Sequence, residues 1–166
     1  MAKEYRRVLH WFRRDLRLTD NTALLEANSS GVEMVPVYVL SDWTGDHSWT
    51  GPKRQKFLCE CLSSLSGNLE HLGGRLIIRQ GDAVSEILRL IKEAEIDAVF
   101  YNEDVDPFGQ AVEARLKEQS PVPVHSFQDA SLHGLTDILK GDGTPYRVYT
   151  PFSKQWLPVE KRSPAG

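Results

Sequence analysis

The sequence predicts an α/β fold: a doubly wound, Rossmann-like sheet of five parallel strands in the order 3-2-1-4-5, with helices on both faces. Three observations lead there. Short apolar runs rich in β-branched residues alternate with longer segments whose apolar residues recur every three or four positions. The first run passes through a charged elbow directly into a helix start, which makes a βα unit. The alternation stops at Gln128, so the sheet is complete before the carboxyl-terminal segment begins.

The first strand leads through Val8-Leu9-His10-Trp11-Phe12 into an elbow, Arg13 to Asp20, with three arginines and two aspartates in eight residues. Asp20-Asn21 offers a helix N-cap before Ala23-Leu24-Leu25. Val32 to Leu40 is the second strand, and its Pro36 predicts a bulge or an edge because proline cannot donate to a ladder. A polar loop from Ser41 to Gly51 carries Asp42, Trp43, Asp46, His47 and Trp49. Pro52 to Leu72 is the clearest helix, with Leu58, Leu62, Leu65, Leu69 and Leu72 on one stripe and Gly73-Gly74 as its stop. Arg75 to Arg79 is the third strand. A helix over Ala83 to Ala94 follows, presenting Val84, Ile87, Leu88 and Ile91. The fourth strand, Ala98 to Tyr101, enters the acidic loop Asn102 to Gly109. A short helix to Gln119 and a fifth strand, Val122 to Phe127, complete the pattern. From there glycine, proline and aromatic residues predict an irregular tail, loose after Pro158.

At 166 residues the chain has the length of one domain with a sizeable core. A composition of 40% hydrophobic and 26% charged residues is that of an ordinary globular protein. A net charge of -3 argues against DNA held mainly through its phosphates. The absence of a signal-peptide core and of an 18-residue apolar run predicts a soluble, cytoplasmic protein without membrane contact. Cys59 and Cys61 are the two cysteines; their spacing completes no zinc site, and they are expected as reduced, buried or semi-buried thiols.

In this topology the loops after strands one, two and four meet at the carboxyl edge of the sheet, and strands one and four flank the switch point where ligands bind. The first of these loops supplies Arg13, Arg14 and Arg17, and the third, Asn102-Glu103-Asp104-Val105-Asp106-Pro107, concentrates carboxylates. The helix after the second loop brings Arg54. Carboxylates accept from ring amino and N–H groups, while arginine stacks on a ring or holds an anionic tail, so the set suits a flat polar heterocycle. A second reading stands beside this one. Arg13, Asp15 and Arg17 can pair with one another and with helix ends, and Asp104 and Asp106 can serve as helix-start carboxylates. Trp11 and Phe12 read as core, and the histidines have no catalytic partner spacing. There is no G-x-G-x-x-G, Walker A, G-x-S-x-G or H-E-x-x-H pattern, and no nucleophile with its base. The pattern describes a binder, with neither a catalytic residue nor a metal site.

Five motifs, in order, carry a family resemblance. They are Trp11-Phe12-Arg13-Arg14-Asp15-Leu16-Arg17 with Asp20-Asn21, then Arg54-Gln55-Lys56-Phe57-Leu58, then Leu72-Gly73-Gly74-Arg75-Leu76 with Gly81-Asp82. The fourth is Asn102 to Gly109 and the last Gly143-Thr144-Pro145-Tyr146-Arg147-Val148-Tyr149-Thr150-Pro151-Phe152. From Arg7 to Trp156 the chain resembles the DNA photolyases and cryptochromes. The resemblance implies a photolyase-type antenna-binding domain over 1–130, with 131–166 as irregular tail and start of the linker to a helical FAD-binding domain that this sequence does not include. It implies an antenna chromophore (a reduced folate, an 8-hydroxy-deazaflavin or FMN) that passes excitation to FAD. The activity it implies is light-dependent repair of cyclobutane pyrimidine dimers, a carbon–carbon lyase reaction, in a monomer that meets damaged DNA through the helical domain. Carried over residue by residue, Arg54, Asp104 and Asp106 become candidate chromophore contacts, followed by Asn102, Arg13 and Arg14. Asp106 stands where the family usually has Glu, Ala83 where it has Pro, Leu135-Thr136 where Pro-Gly is common, and Val112-Glu113 where Arg-Asp is common, which leaves one framework salt bridge open. Leu132, Leu135, Tyr149, Phe152 and Trp156 are expected to form an apolar surface facing the helical domain. The alternatives are a cryptochrome, signalling without repair, and a free-standing nucleotide-binding α/β protein resembling universal stress proteins. The last predicts a glycine-rich phosphate loop, which the chain lacks.

Overall fold

The computed structural model describes residues 3–40, 51–134, 137–161 and 163–164. Five strands form one sheet, β1 (Tyr5–Phe12), β2 (Gly31–Leu40), β3 (Ile77–Gln80), β4 (Ala98–Asn102) and β5 (Val124–Phe127). The helices are α1 (Thr22–Ser30), α2 (Pro52–His71), α3 (Ala83–Glu93), α4 (Pro107–Gln119) and α5 (Tyr149–Trp156). All pairings are parallel and the order is β3-β2-β1-β4-β5, as the sequence predicts. The polar loop with Asp42, Trp43, Asp46, His47 and Trp49, and the pair Leu135-Thr136, lie outside the described residues.

Strand alternation sorts the core into two layers. Leu9 and Trp11 of β1, Val37 and Val39 of β2, and Val99 and Tyr101 of β4 pack on Val84, Ile87, Leu90 and Ile91 of α3 and Leu116 of α4. On the other face, Phe12 meets Leu24 of α1 and Leu62, Leu65 and Leu69 of α2, while Val8, Ala98 and Phe100 pack on Ala27. Trp11 and Phe12 are therefore core residues of opposite layers, 4% and 0% exposed. The turn from α1 into β2 has no loop at all. Gly31 caps the helix and opens the strand, and a Cβ there would lie 2.5 Å from Val8 Cγ2, so the close approach requires glycine.

Several details differ from the sequence reading. Pro36 lies in an internal strand, but β3 pairs with β2 only from Val37↔Ile77 onward, so proline occupies the half of β2 that has β1 alone beside it. β5 starts at Val124 rather than Val122, because Pro123 has no N–H for the ladder. α4 starts at Pro107, ahead of the expected boundary, with proline at the first helical position and Asp106 as N-cap. Leu72 is 76% exposed, since α2 ends at His71 and Gly73 turns the chain away at φ 77°. Cys59 is exposed and Cys61 half-buried; one residue past Leu58 the helix has rotated off its apolar stripe. The tail is not wholly irregular, for it holds α5. That helix has only eight residues, and although Tyr149, Phe152 and Trp156 share one side of it, the segment is shorter than the window over which a helical period shows.

Candidate functional site

The site is the crevice between β1 and β4, where the chain leaves β1 toward one face of the sheet and β4 toward the other. It is a cleft of about 150 Å³ lined by Arg13, Arg14, Asp15 and Arg17 of the elbow, Asn102 to Val105, and Asp129 and Ala130. Of the predicted contacts, Arg13, Arg14, Asn102 and Asp104 come together here. Asp106 stands at the rim, 3.8 Å from the Arg14 guanidinium. Arg54 sits in the first turn of α2 and does not line the cleft.

The elbow is held by one amide. Asn102, at the end of β4, accepts from the Ala23 N–H (3.0 Å) and donates to Asp15 Oδ2 (2.6 Å) and Asn21 Oδ1 (2.8 Å). Asn21 in turn accepts from the Leu24 N–H at 3.1 Å as N-cap of α1, and Asp15 accepts from the Arg13 N–H at 2.8 Å. A buried amide with all these partners ties the start of α1 to the end of β4. Asp129, after β5, adds a second tie: its carboxylate accepts from the Thr22 N–H (3.1 Å) and hydroxyl (2.6 Å) and pairs with Arg17. Burial pushes the Asp129 carboxyl up, but these donors outweigh it and leave its pKa below the usual aspartate value.

The acidic loop closes on Arg13. The guanidinium lies over the Trp11 and Tyr101 rings (4.9 and 5.7 Å to the centroids) and pairs with Glu113 of α4. Its other nitrogen reaches Asp104 Oδ2 at 3.5 Å and the Gly109 carbonyl at 3.3 Å. Glu113 also accepts from the Asp104 N–H at 2.7 Å. Asp104 accepts from the Asp106 N–H at 3.0 Å, and Asp106 accepts from the Phe108 N–H at 2.9 Å as N-cap of α4. The Asp104 carboxylate rests on bare backbone: a Cβ at Gly109 would lie 2.5 Å from Asp104 Oδ2. Arg13, Asn102 and Asp104 are thus spent on the framework and Asp106 serves as helix cap, as the structural reading of the elbow and the acidic loop expects. Glu113 supplies the framework pair that the departure at Val112-Glu113 left open. Sequence reasoning missed Glu113 and Asp129 as partners, since each meets an arginine about a hundred residues away (positions 13 and 113, 17 and 129).

Of the charged lining residues Arg14 is the most open: its side chain is 67% exposed, although its Nε lies 3.1 Å from Asp104 Oδ2. Among the described residues no group of histidine, cysteine and carboxylate side chains could hold a metal ion, and no helix is long and apolar enough to cross a membrane.

Beneath the site, β1 carries His10. It is fully buried beside Phe12 (ring centroids 4.4 Å apart), and neither ring nitrogen has a hydrogen-bond partner. Burial lowers its pKa to about 4 against a smaller opposing pull from Asp15, so the ring is neutral at pH 7.

Comparison with known proteins gives one direction. The family model described as DNA photolyase matches residues 8–165. The crystal structure of a bacterial class III photolyase from Agrobacterium tumefaciens superposes with a TM-score of 0.86 at 37% identity, covering 99% of this chain and 34% of that one. The archaeal photolyase from Sulfolobus tokodaii, described with two FAD molecules and an implied light-harvesting cofactor, gives a TM-score of 0.84 at 25% identity, covering 96% of this chain and 36% of that one. Cryptochrome-1 of Spalax judaei is 37% identical over 149 residues, covering 87% of this chain and 25% of its own length. The chain spans about a third of the length of the curated deoxyribodipyrimidine photo-lyases it matches.

Proposed function

The chain belongs to the DNA photolyase family, and from that premise we propose that residues 1–130 form the antenna-binding α/β domain of a light-dependent DNA-repair photolyase. Residues 131–166 lead toward a helical domain that binds FAD and meets damaged DNA. The reaction is the splitting of cyclobutane pyrimidine dimers, and its catalytic groups lie outside these 166 residues. Light-harvesting is supported by the archaeal relative, described with two FAD molecules and the implication of a novel light-harvesting cofactor.

The observation that carries the proposal is the β1–β4 crevice, where a buried network holds two loops rigid around an opening at the switch point. The antenna is a folate, an 8-hydroxy-deazaflavin or FMN. Bound there, it supplies near-UV or blue absorption and excitation transfer to FAD. The crevice fits the edge of such a ring rather than its whole body, because about 150 Å³ is less than the roughly 300–1,000 Å³ that encloses a small ligand. Arg14 and Asp106 would hold the polar edge, with Arg13, Asn102 and Asp104 positioning the walls. A fixed wall keeps the ring from moving, and a still ring loses less excitation by other routes.

The test is titration of the purified chain with each pigment, read by absorption and fluorescence. Saturable binding of one at micromolar concentration or below is expected; a folded chain that binds none overturns the antenna reading. A full-length protein that leaves dimers in an irradiated oligonucleotide intact under blue light overturns the repair reading and favours the signalling one.

A further inference from the structure

We propose that the elbow between β1 and α1 is an acid-released flap: a proton taken up by His10 frees residues 13–20 from the sheet and opens one wall of the β1–β4 crevice. The elbow supplies Arg13, Arg14, Asp15 and Arg17 to that wall, so the device governs access whatever the crevice holds.

The trigger is a ring with no place for a charge. His10 is fully buried, and neither ring nitrogen has a hydrogen-bond partner. Protonated in place, it would carry two N–H donors without an acceptor, and a buried donor left unmade is costly. Strand alternation sets it on the same face of the sheet as Val8 and Phe12. Its neighbours in register are Pro36 of β2 and Phe100 of β4, and the Phe12 ring lies against it. α1 and α2 bring Leu24, Ala27, Leu62, Leu65 and Leu69 to this face. The elbow brings Asp15, the one charged group among the described residues whose field favours the proton, and burial outweighs it.

The way out for the ring is the elbow. β1 lies between β2 and β4, so every route through the sheet breaks the sheet. Leu16 and Leu18 of the elbow pack on the Phe12 cluster and are themselves only half-buried. Beside them a groove of about 250 Å³ runs between Leu18, Leu24, Met34 and Leu69, where the close packing of the interior is interrupted. Two ties hold the flap down. Asp15 accepts from the Arg13 N–H at 2.8 Å, from Asn102 at 2.6 Å and from Asn21 at 3.3 Å. At the far end Asp20 is held in the left-handed region, at φ 50°, while its carbonyl accepts from Arg17 Nε at 3.1 Å. A non-glycine residue in that region carries strain, which opening relieves.

With the flap open, the ring meets water and titrates near 6.5; closed, it stays neutral down to about 4. Between those values the open form holds one more proton than the closed form. Its population therefore rises as the pH falls, by roughly thirty- to fortyfold from pH 6.5 to pH 4.5.

Native-state hydrogen exchange on the whole chain, corrected for the intrinsic pH dependence of exchange, tests this. The Arg13 and Arg17 amides, which donate to Asp15, report the flap, and the Val99 amide, which donates to the Pro123 carbonyl, reports the sheet. At pH 6.5 the flap amides should exchange faster than Val99. At pH 4.5 their protection should be lower by at least about tenfold, and His10→Phe should remove that dependence. Flap amides as protected as Val99 at both pH values would mean that only global unfolding frees the ring, which overturns the inference. Fast exchange that ignores pH overturns it as well, as does a pH dependence that survives in His10→Phe. Should that variant fail to fold, the exchange of the wild-type chain decides alone between a released flap and the first two of these outcomes.

Discussion

The crevice between β1 and β4 and the segment after β5 are built on opposite plans. In the crevice charged and polar groups are answered by other elements: Arg13 by Glu113, Arg17 by Asp129, Asn102 by Asp15 and Asn21. In the segment from 137 to 161 the hydrogen bonds close on themselves. Asp142 caps Thr144, and Lys161 donates to the carbonyls of Trp156, Leu157 and Val159 while lying 4.1 Å from the Trp156 ring. Tyr149 and Leu157 face outward, 79% and 67% exposed, and Phe152 and Trp156 are only half-buried, against Tyr146 and His133. The first plan yields rigidity that the fold must assemble. The second yields local order without a core, which is cheap to form and cheap to disturb.

The largest break in that contrast should come from Glu113→Ala. It takes from Arg13, whose side chain is 11% exposed, the nearer of its two carboxylate partners and leaves Asp104 at 3.5 Å; breaking a buried pair costs up to about 3–5 kcal/mol, read by urea denaturation. A loss under about 1 kcal/mol would show that solvent replaces the partner and that the crevice is not rigid. Acid tests the same core from below. His10 is neutral in the fold with a pKa of about 4, whereas in the unfolded chain it titrates near 6.5. Between those values the unfolded chain binds the extra proton, so stability is full above pH 6.5 and falls as the pH drops toward 4, by about 3 kcal/mol in all. Denaturation midpoints measured across that range should show the slope, and His10→Phe should flatten it. The depressed Asp129 carboxyl adds a further loss only below the ordinary aspartate range.

Asn102→Ala should cost about 2 kcal/mol, since it leaves the Ala23 N–H and the Asp15 and Asn21 oxygens short of a partner. Hydrogen exchange at the start of α1 would speed up with it. At the small end, Tyr149→Ser should stay within about 0.5 kcal/mol of the parent chain, because the ring it removes is already in solvent. A larger effect would mean that the tail is packed on the domain after all.

Most of the architecture was legible in the sequence. Strand alternation and the leucine stripe of α2 report burial directly, and burial is what makes a pattern periodic. α5 escapes that reading because its eight residues, with Tyr149, Phe152 and Trp156 on one side, are shorter than the window over which a helical period shows. The candidate site was legible as a set of residue types in two loops but not as a division of labour. Arg13 and Arg14 are adjacent and identical in chemistry, yet one is sealed between two aromatic rings and a glutamate and the other stands at the mouth. Arg54 belongs to the same set by type and does not reach the cleft.

By itself, the sequence determined the order of elements, the parallel sheet and the place of its switch point, because hydrophobic periodicity and capping are local signals that each segment carries alone. Tertiary structure decided which charges are buried in the framework and which stay exposed at its edge. That choice depends on partners about a hundred residues apart meeting at one edge of the sheet, and the free energy of a charge is set by the burial and the partners it finds there.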